Sequence, residues 1–307
     1  MVKKNIQQLD INLLQQIGNL ELIARYVVEG FITGLHKSPF HGFSVEFAEH
    51  RQYNQGETIR HIDWKLYGRT DKLYVKKYEE ETNLRCQIII DTSSSMNYPQ
   101  QGVSKLNFSL MAAAALINLL KNQRDAAGIT FFSNQIESHH QARSSHAHLQ
   151  ILYNLLQNRF NIQQEQKTTS ASKALHSIAE TIHKRSLVII FSDMFDNNIH
   201  EKEYISGLQH LRFKKHEIIL FHVTDKLTEL DFNFENRLYR FTDLETGEKV
   251  DIFPDEYREK YLLEMNKYIS DLKVKCSQYQ IDFVEADIKQ GFNHVLQNYL
   301  LKRQRLF

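Results

Sequence analysis

The stretch "IIIDTSSSMNY", residues 88–98, sets three isoleucines directly against an aspartate and a run of hydroxyls. An apolar β-branched run bounded by polar turn residues marks a strand buried on both faces, as in a parallel sheet. In open α/β sheets, ligands occupy the crevice beyond the carboxyl ends of such strands. Asp91 and the serines that follow it therefore stand where a site is expected.

Downstream of this stretch the chain alternates strands and helices. The spacing predicts strands at "CQIIID" (86–91), "AAGITFF" (126–132), "QIESHH" (135–140), "SLVIIFSD" (186–193), "HEIILFHV" (216–223) and "QIDFVEA" (280–286). Helices are expected over 105–122, 145–157, 170–184 and 201–213, from Pro254 to about Gln278, and at the end of the chain. The helix over 105–122 is apolar almost all round, which predicts burial. Residues 226–253 read as an inserted hairpin around "LETGEKV", with Thr246-Gly247 as the turn.

Upstream, apolar residues recur at helical spacing over 6–30, and 43–85 is rich in aromatics and alternating residues, which suits short, partly exposed strands. The expected fold is α/β: a mostly parallel sheet with helices on both faces over 86–307, preceded over 1–85 by a helical segment and a small β-containing domain.

Composition narrows the class. The 307 residues are 42% hydrophobic and 24% charged, enough for a sizeable core. Lys plus Arg number 38 against 37 Asp plus Glu, so overall charge favours neither nucleic acid nor a membrane surface. The start, "MVKKNIQQLD", lacks the apolar run of a signal peptide, and the uncharged stretch 106–120 is too short to span a bilayer. Cys86 and Cys276 have no metal-type spacing and read as reduced core residues of a cytoplasmic protein.

The chemistry converges on two strand ends. "IIID" closes with Asp91 and "IIFSD" with Asp193, Ser93 and Ser95 alternate beyond the first, and Thr168, Thr169 and Ser170 open the helix before the second. An all-oxygen set suits Mg²⁺, Mn²⁺ or Ca²⁺ rather than zinc or copper. The plainer alternative is that such residues are turn and N-cap residues, as Ser104 is read before its helix.

"DTSSS" resembles the Asp-x-Ser-x-Ser motif of von Willebrand factor A domains, whose metal-ion-dependent adhesion site uses that triplet with a downstream Thr and Asp. The resemblance places those two in "KTTSASKAL", at Thr169, and in "FSDMFD", at Asp193. That family usually has Gly before the Thr, where this chain has Thr168, so a shift of the ligand by one residue stays open. The segment 34–81, "GLHKSPFHGFSVEFAEHRQYNQGETIRHIDWKLYGRTDKLYVKKYEEE", is similar to the hallmark of the domain-of-unknown-function family numbered 58, which precedes an A-type domain. The likeness runs through "FTDLETGEKV" and covers roughly residues 30 to 303.

The resemblance implies a Rossmann-like A-type fold and a non-catalytic, metal-dependent protein-binding role. Ser93 and Ser95 would bind the ion, Mg²⁺ foremost, directly. Thr169 would bind it directly or through water, and Asp91 and Asp193 largely through water. An acidic side chain of a protein partner would complete the sphere. Family context implies a MoxR-type AAA+ ATPase as that partner, in complex assembly or chaperone-like maturation.

Two other classes account for parts of the sequence. A Mg²⁺-dependent phosphotransferase would use Asp91 as nucleophile but needs a second acid two residues on, where Ser93 stands. No Gly-x-Ser-x-Gly turn or Gly-rich phosphate loop is present. Residues 60–78 interleave Arg60, Lys65, Arg69, Lys72, Lys76 and Lys77 with Trp64, Tyr67 and Tyr74, a pattern able to grip a nucleic acid. The plainer reading packs those aromatics in the small domain and pairs the charges with Glu79, Glu80 and Glu81. His139, His140, His146 and His148 match no fixed metal spacing and, lying around a loop, read as solvated surface. Asp63 and Trp64 are candidates for holding the small domain against the sheet.

Overall fold

The computed structural model describes residues 19–35, 50–52, 67–69, 74–76, 84–161, 171–195, 201–244 and 246–306. The chain forms two compact units, one of Leu35–Asn83 and one of Met1–Gly34 with Leu84–Phe307. In the smaller unit, β1 (His50–Gln52) and β2 (Tyr74–Lys76) pair antiparallel, with Arg51 opposite Val75. Asp63, Trp64 and most of 60–78 lie outside the described residues.

The first described helix of the larger unit is α1 (Leu20–Leu35). Its Leu20, Ile23, Ala24, Val27, Val28 and Phe31 recur every three or four residues and are buried. The remainder of the periodic stretch, 6–18, lies outside the described residues. The helical segment read as part of the N-terminal domain thus falls in the same unit as the sheet.

The elements that follow are β3 (Arg85–Asp91), α2 (Lys105–Asn122), β4 (Ala126–Phe132), β5 (Ile136–Arg143), α3 (His146–Asn161), α4 (Ala171–Thr181), β6 (Leu187–Ser192), α5 (Glu201–Phe213) and β7 (Glu217–Thr224). They end with a small hairpin of β8 (Tyr239–Thr242) and β9 (Lys249–Ile252), then α6 (Pro254–Gln278), β10 (Asp282–Asp287) and α7 (Asn293–Leu306). The main sheet has the order β10-β7-β6-β3-β4-β5, and every neighbouring pair is parallel except β4 with β5. From β3 the chain moves outward to β4 and β5, then returns to the other side of β3 with β6. The strand order therefore reverses between β3 and β6, the switch point at which α/β sheets open a crevice.

Strands β3 and β6 are buried on both faces, as their unbroken apolar runs require. Ile89, Val188, Ile190, Ile218 and Leu220 pack with Leu175 and Ile178 of α4, Leu208 and Leu211 of α5, and Leu272 of α6. Alternate residues, Ile88 and Ile90 among them, point to the opposite face. There α2 is buried along most of its length, and its Phe108 stacks at 4.9 Å on Phe292, the residue just before α7.

One local expectation needs correction. Residues Lys226–Leu230 form a single π-helical turn, so the hairpin proper is confined to β8 and β9, closed by Gly247 at φ +75°. The strand expected at 135–140 is β5, which carries His139 and His140 and pairs with β4 as the half-covered edge of the sheet. Cys86 and Cys276 are buried and free. Among the described residues, no helix is long and apolar enough to cross a membrane.

Candidate metal centre

Strand β3 ends at Asp91, and its carboxylate turns the chain. Asp91 Oδ1 accepts the Ser93 N–H at 2.9 Å, folding residues 92–95 over the strand end. A short 3₁₀ turn, Ser94–Asn97, then brings the Ser93 and Ser95 hydroxyls to 3.0 Å from each other. Thr92 anchors the loop to the neighbouring strand, its N–H donating to the Phe132 carbonyl at 2.8 Å. Helix α2 starts just beyond, with Ser104 Oγ accepting the Asn107 N–H at 3.1 Å as an N-cap.

The second strand end meets the first. Ile90 lies opposite Phe191, which brings Asp91 level with Ser192. Ser192 donates its hydroxyl to Asp91 Oδ2 at 2.8 Å and accepts the Met194 N–H at 3.0 Å. Met194 sits at φ +57°, a left-handed conformation that costs a non-glycine residue about 1 kcal/mol and concentrates at functional sites. The Tyr268 hydroxyl holds it there by donating to the Met194 carbonyl at 2.5 Å. Asp193, between Ser192 and this turn, accepts the Phe195 N–H on Oδ1 at 3.2 Å.

Asp91, Ser93 and Asp193 are each no more than 2% exposed. Burial pushes the Asp91 carboxyl up to about 7, and the Asp193 charge pushes in the same direction, against the opposing hydrogen bonds from Ser93 and Ser192. Two acids close enough to resist each other's ionisation, beside two converging hydroxyls, make a site that favours a cation.

Sequence reading missed one cation already there. Lys105, the first residue of α2, is buried and places Nζ 2.7 Å from Asp193 Oδ2 and 2.5 Å from Glu229 Oε1. Burial alone would lower its pKa, but the Asp193 and Glu229 carboxylates outweigh it and raise the net value. The available signal was a lysine inside a helix otherwise apolar all round. Glu229, in the π-helical turn after β7, gave none. Glu137 on β5 was also missed; its carboxylate accepts from the Ser133 hydroxyl at 3.0 Å and pairs with Arg159.

The structure thus brings Asp91, Ser93 and Ser95 together, with Asp193 on the same rim, while Thr168 and Thr169 lie outside the described residues. Among the described residues, no group of three or more His, Cys, Asp or Glu is placed to hold a metal. An ion here would rely on hydroxyls, two carboxylates and water. That hard-oxygen set fits Mg²⁺, Mn²⁺ or Ca²⁺. Three carboxyl groups, those of Asp91, Asp193 and Glu229, face the single ammonium of Lys105, an excess of acid that suits a cation. His139 and His148 are tied into the sheet instead, through Thr130 Oγ1 at 2.8 Å and the Ala127 carbonyl at 3.0 Å.

Comparison with known proteins gives relatives without assigned roles. The uncharacterized proteins Rv1480 of Mycobacterium tuberculosis (strain H37Rv) and Mb1516 of Mycobacterium bovis are each 27% identical over 107 residues, 35% of this chain. The match spans 34% of the length of those relatives. Among solved structures, the conserved hypothetical protein BatB from Bacteroides thetaiotaomicron aligns over 72% of this chain and 99% of its own, at 11% identity and TM-score 0.42. An aerotolerance-related membrane protein from Bacteroides fragilis aligns over 71% of this chain and 99% of its own, at 13% identity and TM-score 0.43. The family description "Protein of unknown function DUF58" matches residues 49–267, well over half of the chain. The protein belongs to the DUF58 family.

Proposed function

We propose that the protein is a divalent-cation-dependent interaction protein with a von Willebrand factor A-like site, rather than an enzyme. Ser93 and Ser95 would hold Mg²⁺ directly, Thr169 would join them, and Asp91 and Asp193 would hold its waters. Neutral hydroxyl ligands leave much of the ion's charge unmet, so an open position favours an acidic side chain from a partner. The resemblance to family 58 makes a MoxR-type AAA+ ATPase the candidate partner, met in the cytoplasm during complex assembly or chaperone-like maturation. The observation that carries this reading is the meeting of Asp91, Ser93 and Ser95 with Asp193 on one rim, where the strand order reverses.

A thermal melt in chelator and in millimolar Mg²⁺ or Mn²⁺ tests it. An ion that binds only the folded state at a hundredfold excess over Kd stabilises by about 2.7 kcal/mol. The melting temperature should rise with the ion, and Asp91→Ala or Ser93→Ala should abolish the rise. Recovery of a AAA+ ATPase in pull-downs should fail with chelator. No thermal response to millimolar ion, or turnover of a phosphoester, would reject this reading.

A further inference from the structure

Lys105 occupies a place that works against it. It lies in the first turn of α2, where the helix dipole disfavours a cation, and it is 1% exposed. Two carboxylates from distant segments offset that cost, Asp193 Oδ2 at 2.7 Å and Glu229 Oε1 at 2.5 Å. The rings of Phe195 and Tyr98 flank the ammonium, with centroids 5.4 and 5.9 Å from Nζ. A positive charge thus sits on one of the two aspartates that a divalent ion would use.

We propose that Lys105 is a resident counter-cation that competes with the divalent ion for Asp193, and that Glu229 retains the ammonium when the ion is bound. The inference rests on the reading of Asp91, Ser93, Ser95 and Asp193 as an ion site. Glu229 is built to be that second partner. Its Oε2 accepts the Asp225 N–H at 2.8 Å, and its backbone carbonyl accepts the Tyr261 hydroxyl at 2.7 Å. The carboxylate is therefore fixed whichever way the ammonium leans. In the ion-free protein Lys105 offsets the Asp193 charge and the fold persists. When a dication arrives, Asp193 turns its charge toward the ion and Lys105 is left to Glu229. A site arranged in this way holds its ion less tightly than an uncontested one, because every ion that enters must draw Asp193 away from the ammonium.

The test compares Mg²⁺ and Mn²⁺ affinity, by calorimetry and by thermal shift, in the native protein, in Glu229→Gln, and in the double variant Lys105→Met, Glu229→Gln. The double variant keeps the native net charge and leaves no buried charge stranded on Lys105 or Glu229. It should bind the ion about tenfold more tightly, the effect of relieving a competing charge contact. Glu229→Gln alone leaves the ammonium to Asp193 and should weaken binding by a similar factor. Unchanged or weaker binding in the double variant overturns the proposal, as does tighter binding in Glu229→Gln. A native protein that ignores the ion rejects the ion-site reading as it stands. In that case a response gained only in the double variant still supports Lys105 as the excluding cation, and no response in any variant overturns both.

Discussion

The Ser192 hydroxyl donates to Asp91 Oδ2 at 2.8 Å, tying together the two strand ends at which the order of the sheet reverses. The same oxygen accepts the Met194 N–H, so one side chain fixes a carboxylate on β3 and the left-handed turn after β6. Ser192→Ala leaves both groups buried without that partner. It should lower stability by about 1–3 kcal/mol, measured by chemical denaturation in chelator. A loss below a few tenths would mean that the two strand ends hold their positions independently.

The Asp91 carboxyl gives a pH signature. Its folded value, about 7, stands above the ordinary 3.8, so the folded state holds the proton more tightly than the unfolded chain. Its contribution to stability is complete below pH 3.8 and is lost as pH rises toward 7. In chelator, the native protein should lose stability relative to Asp91→Asn across that window. A difference that stays flat from pH 4 to 7 would show that Asp91 ionises without hindrance.

His222 acts in the opposite sense over nearly the same range. Burial pushes it from 6.5 down to about 4, between the rings of Phe195 and Phe283 at 6.1 and 5.5 Å. Its contribution is complete above pH 6.5 and is lost as pH falls toward 4. His222→Phe should therefore flatten the acid side of the native stability profile. An unchanged acid limb would place the loss in other groups.

Gly128 sits at the register shift between β4 and β5. A Cβ there would meet the Ala142 backbone nitrogen and the His140 carbonyl oxygen, each at 2.6 Å, as well as Gln87 Oε1 at 2.3 Å. The two backbone atoms cannot swing away as a side chain can. Gly128→Ala should cost at least about 1–3 kcal/mol in a denaturant titration. Near-neutral stability would mean that the edge strand β5 shifts freely.

What was legible in the sequence was what neighbours along the chain determine. The strand 85–91, the N-cap at Ser104 and the helix Lys105–Asn122 follow from residues within a turn of one another. Asp91, Ser93 and Ser95 were legible for the same reason, since each lies only two positions from the next. Lys105 was hidden because its partners, Asp193 and Glu229, lie 88 and 124 positions away. Nothing local distinguishes a lysine that lies along a core to reach an acid from one that reaches water. The turn at Lys226–Leu230 leaves no mark in the sequence because a single helical turn is too short to show periodicity.

Helix α1 carries a practical corollary. Leu20 N–H donates to Gln157 Oε1 on α3 at 2.9 Å, and six apolar side chains from Leu20 to Phe31 are buried in the same unit as the sheet. A fragment cut to begin at Leu84, where the sheet starts, would strip that stripe away and leave a raw apolar scar open to self-association. The compact unit that holds the sheet is thus discontinuous along the chain, taking in residues up to Gly34 and from Leu84 onward.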